Sequence, residues 1–193
     1  MLNGISIHDG LKLRKAKQRD RAFMQQLFNS TREHLRLLPL TGPQIEALFA
    51  QQYQLQQTYY AGQWPDASTL IIQLGSNAIG KIIIDENQTA LHIIDIALEP
   101  AMRGKGYGTA LLRAIQAAAQ KRGLPVRLSV DRQNRQAKKL YLALGFQVTG
   151  TSDTHESMSW SPSLPGASGD FFTHNRNNEP VKSVFRTNKG GSM

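Results

Sequence analysis

The chain has 193 residues, 40% of them hydrophobic, and 23 Lys and Arg against 14 Asp and Glu give a formal net charge of +9. That length suits one domain with a substantial core, and the lack of any cysteine excludes a disulfide framework, a thiolate metal site and a cysteine nucleophile. No apolar run approaches the ~20 residues of a membrane helix, and the start Met1-Leu2-Asn3-Gly4-Ile5-Ser6 lacks the charged-then-apolar pattern of a signal peptide, so a cytoplasmic chain with no membrane contact is expected.

Residues 11–15 alternate weakly and predict a first strand. From residue 20 to 38, Met24, Phe28, Thr31, Leu35 and Leu38 follow a three/four spacing, with Phe23 and Leu27 beside them. That pattern predicts an amphipathic helix ended before Pro39. Thr41-Gly42-Pro43 reads as the next helix start, with proline near the first turn. This second helix is expected to carry Ile45, Leu48, Phe49, Gln52, Leu55 and Tyr59 inward, leaving Gln51, Gln54, Gln56 and Gln57 on a solvated outer face. Residues 69–74 and 78–84 read as strands around Gly75-Ser76-Asn77. After the turn Asp85-Glu86-Asn87-Gln88 comes Leu-His-Ile-Ile-Asp-Ile-Ala-Leu at 91–98, a strand that Glu99-Pro100 punctuates.

The next segment, Arg103-Gly104-Lys105-Gly106-Tyr107-Gly108, stands between that strand and a helical pattern of Leu111, Leu112, Ile115, Ala118 and Ala119. A glycine-rich turn that opens a helix leaves backbone N–H groups unpaired at the positive end of the helix dipole. That is an anion cradle suited to phosphate, and glycines remove the Cβ atoms that would hold a diphosphate away. The helix runs to Arg122 with Gly123 as its stop, and a strand follows at 126–130. Asn134 then caps a short helix with Ala137, Leu140, Tyr141 and Leu144 on one face, ended by Gly145 in a left-handed conformation. Short strands at 146–149 and 156–160 complete the order β-α-α-β-β-β-α-β-α-β-β.

From Ser161 the composition turns to proline, glycine, serine and asparagine, with Phe171, Phe172, Val181, Val184 and Phe185 too scattered for a core. The expected organisation is a domain over 1–160 and a flexible polar tail over 161–193.

Arg103, Gly106 and Gly108, followed by Asn134, Ala137, Tyr141, Gly145 and Phe146, resemble the paired motifs of the GNAT superfamily of acyl-CoA-dependent N-acetyltransferases. The resemblance covers roughly residues 10–160. It implies a mixed α/β sheet of that family's acyltransferase fold, and transfer of an acetyl group from acetyl-CoA to an amine. By the same resemblance Gly104, Lys105, Gly106, Gly108 and Thr109 line the cofactor diphosphate beside Arg103, with Asn134 also on the cofactor side. Ile96, Ala97 and Leu98 would hydrogen-bond the pantetheine arm, and Tyr141 would protonate the departing thiolate. A phenol of ordinary pKa near ~10 is protonated at neutral pH and can do so; core packing on the inward helix face is the alternative role.

The base is less legible. Ser129 stands at the inward-reading position of the strand after the glycine-loop helix, where some relatives carry a carboxylate. Asp95 lies in an apolar run where a carboxylate must be paired, hydrogen-bonded or protonated, and it is the candidate base; a structural aspartate satisfied by backbone or arginine is the rival reading. Without a thiol, the acceptor amine would attack directly. The positive charge suits coenzyme A or nucleic acid, but the basic clusters at 12–21 and 132–139 lack interleaved aromatics, which disfavours nucleic acid. His8, His34, His92, His155 and His174 show no metal-ligand spacing, so no metal is expected. Two rivals remain: a non-catalytic acyl-CoA-binding or docking module of the same fold, and a dinucleotide-binding protein with Asp131 as the ribose ligand. A homodimer is compatible with all three.

Overall fold

Alternating and three/four-spaced apolar residues fall into eleven main elements in the computed structural model, which describes residues 10–162 together with 2, 4 and 7. They are β1 (Leu11–Lys15), α1 (Arg21–Ser30), α2 (Gly42–Gln63), β2 (Ser68–Leu74), β3 (Asn77–Glu86), β4 (Leu91–Leu98), α3 (Tyr107–Arg122), β5 (Val126–Asp131), α4 (Arg135–Ala143), β6 (Gln147–Thr151) and β7 (His155–Trp160). The order is the one the sequence predicts. The strands form one seven-stranded sheet, β1-β2-β3-β4-β5-β7-β6. Only β4 and β5 pair in parallel; every other neighbouring pair is antiparallel. One parallel pair is too few for the doubly wound sheet of a dinucleotide-binding fold, and the Asp131 carboxylate accepts from the Gln133 backbone N–H at 2.7 Å, a local turn contact.

Strand alternation distributes the core over both faces. Ile82 and Ile84 of β3 and Leu91 and Ile93 of β4 pack with Leu111, Leu112, Ile115 and Ala119 of α3 and with Tyr141 of α4. The intervening Ile83, with Ile71 of β2, is buried on the side served by Leu27 and Phe28 of α1 and Ile45, Phe49 and Tyr53 of α2. Phe28 and Tyr53 meet edge to face at 5.3 Å. Among the described residues no helix is long and apolar enough to cross a membrane. The expected tail falls outside the described residues from position 163 onward.

Two helix expectations need correction. The pattern over 20–38 predicts one helix, but α1 stops at Ser30 and a separate 3-10 turn spans Glu33–Leu37. The side chains at the stop explain it. The Ser30 hydroxyl donates to the Leu27 carbonyl and the Thr31 hydroxyl to the Phe28 carbonyl, each at 2.8 Å. They satisfy carbonyls that another helical turn would have used. In α2, the start is as expected, with the Thr41 backbone N–H donating to Gln44 Oε1 at 2.8 Å. Its buried face, however, is Ile45, Phe49, Tyr53 and Gln56, while Leu55 is exposed. The helical period through Phe49 selects Tyr53 and Gln56 and turns Leu55 outward.

A bidentate pair fixes the entry into α1. Arg14 of β1 donates to Asp20 through Nη1 at 2.6 Å and Nη2 at 2.7 Å, and the Lys17 backbone N–H adds a third bond at 2.7 Å. The Arg14 hydrogen bonds, helped by the Lys17 N–H and nearby positive charge and opposed by burial, pull the Asp20 carboxyl from 3.8 down to about 2. A carboxyl depressed in the folded state stabilises the fold above its unfolded value and loses that contribution as pH falls through its folded value. Asp20→Asn is therefore expected to cost about 1–2 kcal/mol at neutral pH and to flatten the fall in urea midpoint between pH 4 and 2. An unchanged acid profile in the variant would assign the acid sensitivity to other carboxylates.

Candidate active site

The sheet opens in the middle. β4 pairs with β5 only through Leu91↔Val126, His92↔Arg127 and Ile93↔Leu128. Its antiparallel register with β3 continues to Gly80↔Leu98, with a shift between Ile83↔Asp95 and Ile84↔Ile93 that leaves Ile94 as an extra residue. A bulge of this kind bends its strand, and beyond it residues 95–98 run along β3 with no strand among the described residues on their other side. Ile96, Ala97 and Leu98, the expected pantetheine ligands, lie on this half of β4. Gly80 secures the bend, because a Cβ there would run into the Ala97 carbonyl oxygen and come within 2.7 Å of Leu98 Cδ2.

The glycine turn sits at the end of that half-strand. Arg103 Nε donates to the Leu98 carbonyl at 2.9 Å, so this side chain ties the turn to β4. Gly104 and Gly106 adopt positive φ of 72° and 85°, with nothing within 4 Å of where a Cβ would point. Gly106 is the N-cap of α3, and no side chain caps the helix. The first helical bond runs from the Ala110 N–H to the Gly106 carbonyl at 2.9 Å, and the backbone N–H groups of residues 104–109 donate to no other backbone group among the described residues. Those donors, at the positive end of a sixteen-residue helix, are what an anion would meet. Lys105 is exposed beside them and Thr109 half-buried in the first turn. Gly108 lets three elements converge, since its Cβ position is 3.8 Å from Leu140 of α4 and 3.9 Å from Leu98 of β4.

Across the opening stands α4. Asn134 Oδ1 accepts from the Ala137 N–H at 3.1 Å, so its side chain serves the helix start. At the other end Gly145 takes φ of 83°, and the Phe146 N–H closes on the Tyr141 carbonyl at 3.0 Å. Gln116 of α3 donates to the Leu144 carbonyl at 2.8 Å and ties the two helices together. These contacts hold Tyr141, which is buried and packs on Phe146 at 5.7 Å. Burial, and then the negative charge of Asp95, push its hydroxyl up to about 12.

Asp95 lies on the α1/α2 face. Its Oδ2 is 3.0 Å from Lys81 Nζ, in a pair whose lysine side chain is only 3% exposed and whose carboxylate is 23% exposed. A carboxylate satisfied in this way also fits the rival reading of a structural aspartate, with a buried lysine in place of backbone or arginine. Asp95 also acts through space on Arg32 and Tyr60 as well as Tyr141. Tyr60 is raised far above the ordinary phenol range by burial first and Asp95 second. Ser129, the inward-reading alternative, is exposed, because Val126, Leu128 and Val130 take the core side of β5. Trp64 packs edge to face on His92 at 5.7 Å and on Tyr60 at 6.0 Å. Burial lowers the His92 pKa, which favours the neutral ring.

Lys81, Arg32 and Tyr60 were not singled out by the sequence reading. Lys81 carried a usable signal: a lysine inside Ile79-Gly80-Lys81-Ile82-Ile83-Ile84 must find an anion once buried. The following strand offers Asp95. Arg32 carried none, because its place depends on where α1 stops.

The sequence matches the acetyltransferase (GNAT) family over residues 33–146. Among solved structures, the fold is similar to the PaiA N-acetyltransferase of Thermoplasma acidophilum in complex with coenzyme A, at 22% identity and a TM-score of 0.57 over 78% of this chain and 98% of that one. It is similar also to the spermidine N-acetyltransferase of Vibrio cholerae in complex with CoA and spermine, at 19% identity and a TM-score of 0.55, covering 79% and 95%. A third is the ribosomal-protein-S18-alanine N-acetyltransferase of Escherichia coli, at 19% identity and a TM-score of 0.55, covering 83% and 99%. No curated protein matches the chain.

Proposed function

Because this chain belongs to the GNAT acetyltransferase family, we propose that it transfers an acetyl group from acetyl-CoA to an amine by direct attack, with residues 1–160 as the catalytic unit. One observation carries the reading. A glycine turn whose N–H groups find no backbone partner stands at the end of a half-strand that lacks a neighbour on its β5 side, and the protonated Tyr141 lies within the electrostatic influence of Asp95 on that half-strand. Solved relatives of the fold that hold coenzyme A support it.

Acetyl-CoA, when bound, supplies the activated acetyl thioester. The N–H groups of Gly104, Lys105, Gly106, Gly108 and Thr109 receive the diphosphate, and Lys105 adds charge. Arg103 keeps the turn in place through Leu98, while Asn134 holds the start of α4 on the cofactor side. The free edge of Ile96, Ala97 and Leu98 orients the pantetheine amides and draws on the thioester oxygen. Asp95, reached from the α1/α2 side, takes the proton from the acceptor amine, and Tyr141 donates toward the sulfur. Since a free amine attacks directly, no cysteine is needed. Cytoplasmic residence accords with such a substrate pair.

Calorimetry with acetyl-CoA and with NAD, followed by thiol release over an amine panel, tests the reading. Acetyl-CoA binding with amine-dependent thiol release is the expected result. Binding without turnover across a broad panel would favour an acyl-CoA-binding module instead, and NAD binding in its place would overturn the cofactor assignment.

A further inference from the structure

Stability alone gives little reason for the ion pair between β3 and β4. Lys81 lies in the apolar run of β3, with its Nζ 3.0 Å from Asp95 Oδ2. A buried lysine needs an anion, yet replacing a buried ion pair by apolar residues of similar volume is often neutral or stabilising. The route by which Asp95 meets Lys81 is specific. Ile84 pairs with Ile93 and Ile83 with Asp95, so Ile94 is the extra residue. Leu91 and Ile93 belong to the core cluster that contains the apolar face of α3. In a regular strand Asp95 would follow them onto that face, since side chains repeat every second residue. The bulge turns it to the α1/α2 face instead, as bulges re-aim side chains. There it stands across from Ile83 and one diagonal step from Lys81, which pairs with Ala97; a long side chain spans such a diagonal. The two partners are buried unequally. The lysine side chain is 3% exposed and the carboxylate 23%, so an enclosed cation holds the acid at Oδ2 while part of the acid stays accessible.

We infer that Lys81 is a positioning residue for the transfer: it fixes the Asp95 carboxylate through Oδ2, so that Oδ1 takes the proton from the acceptor amine. This deepens the acetyltransferase reading and rests on it. A base works only within hydrogen-bond reach of the proton it removes. A partly accessible aspartate without an anchor samples several side-chain rotamers, and the ion pair selects one. Lys81 acts through Asp95 alone, because its own side chain is enclosed.

The test is Lys81→Met in the full chain, with thiol release measured on an amine that wild type acetylates. Methionine keeps the unbranched stem and removes the charge, and it leaves a carboxylate that water can reach, so the variant is expected to fold. Calorimetry with acetyl-CoA counts the competent sites and should find an unchanged Kd. Per competent site, kcat should fall by ~10–100-fold, the scale of a misplacement of ~1 Å, with KM for both substrates kept. In an Asp95→Asn background Lys81→Met should lower kcat no further, because the group it acts through is already gone. If Lys81→Met does not fold, Lys81→Gln carries the same comparison with a donor and no charge. A folded variant at full kcat, or losses that multiply with those of Asp95→Asn, would make the pair structural and overturn the positioning role. Full kcat in Asp95→Asn would overturn it as well, and each of these leaves the acetyltransferase reading intact. Acetyl-CoA binding by wild type with no transfer to any amine would sink both.

Discussion

Replacing Tyr141 by phenylalanine is expected to lower the turnover number by the ~10²–10³ typical of one lost hydrogen-bond donor to developing charge while leaving acetyl-CoA affinity and melting temperature nearly unchanged. Only the hydroxyl is removed. The ring stays packed on Phe146 at 5.7 Å, and the helix end is held by backbone bonds and by Gln116. Burial and Asp95 push the phenol to about 12, so it remains protonated throughout the working pH range and contributes no limb to the pH profile there. A thiol of ordinary pKa near ~8.5 is the stronger acid. In the proposed mechanism Tyr141 therefore acts chiefly by donating a hydrogen bond to the sulfur as charge develops on it, with the proton lost by the amine completing the balance. The measurement is the pH dependence of kcat for wild type and variant with an acceptor that wild type turns over. Full turnover in Tyr141→Phe at every pH would return Tyr141 to core packing alone.

Gly106→Val is expected to weaken acetyl-CoA binding by ~10²-fold, the equivalent of one or two charge-assisted hydrogen bonds. The position has φ of 85°, which a β-branched residue avoids, so the turn must re-form and its N–H groups lose their common aim. Any side chain there also points into the open space before α3. Gly123→Val supplies the control. It has a left-handed φ of 64° with open surroundings at the far end of the same helix, so it carries similar backbone strain without touching the turn. Calorimetry should find acetyl-CoA affinity lost in the first variant and kept in the second. Equal affinity in both folded variants would remove the diphosphate from this turn.

What the sequence made legible follows from locality. β4 was readable residue for residue because β-branched runs and Glu99-Pro100 mark a strand without reference to anything distant. The glycine turn and the ends of α4 were readable because Gly106, Asn134 and Gly145 act on their own backbone neighbours. The stop of α1 was not, since apolar spacing continued through Thr31 and Leu35 while short hydroxyl bonds decided the matter at Ser30 and Thr31. Nor was the buried face of α2, where Gln56 goes inward and Leu55 outward, because a glutamine-rich helix carries a weak apolar stripe. Asp95 stood out as a carboxylate in an apolar run, but Lys81 as its partner depends on the β3–β4 register and its bulge. The site is thus visible where the cofactor should lie and obscure where the acceptor should lie.

The half of β4 beyond Ile93 has a consequence for local stability. Along residues 95–98 every second amide faces away from β3 with no strand among the described residues to receive it, so this segment can open by a free energy well below that of global unfolding. A ligand that supplies the missing hydrogen bonds stabilises the closed form by mass action. The strand end is in effect an incomplete folding unit, and in the proposed complex the co-substrate finishes it.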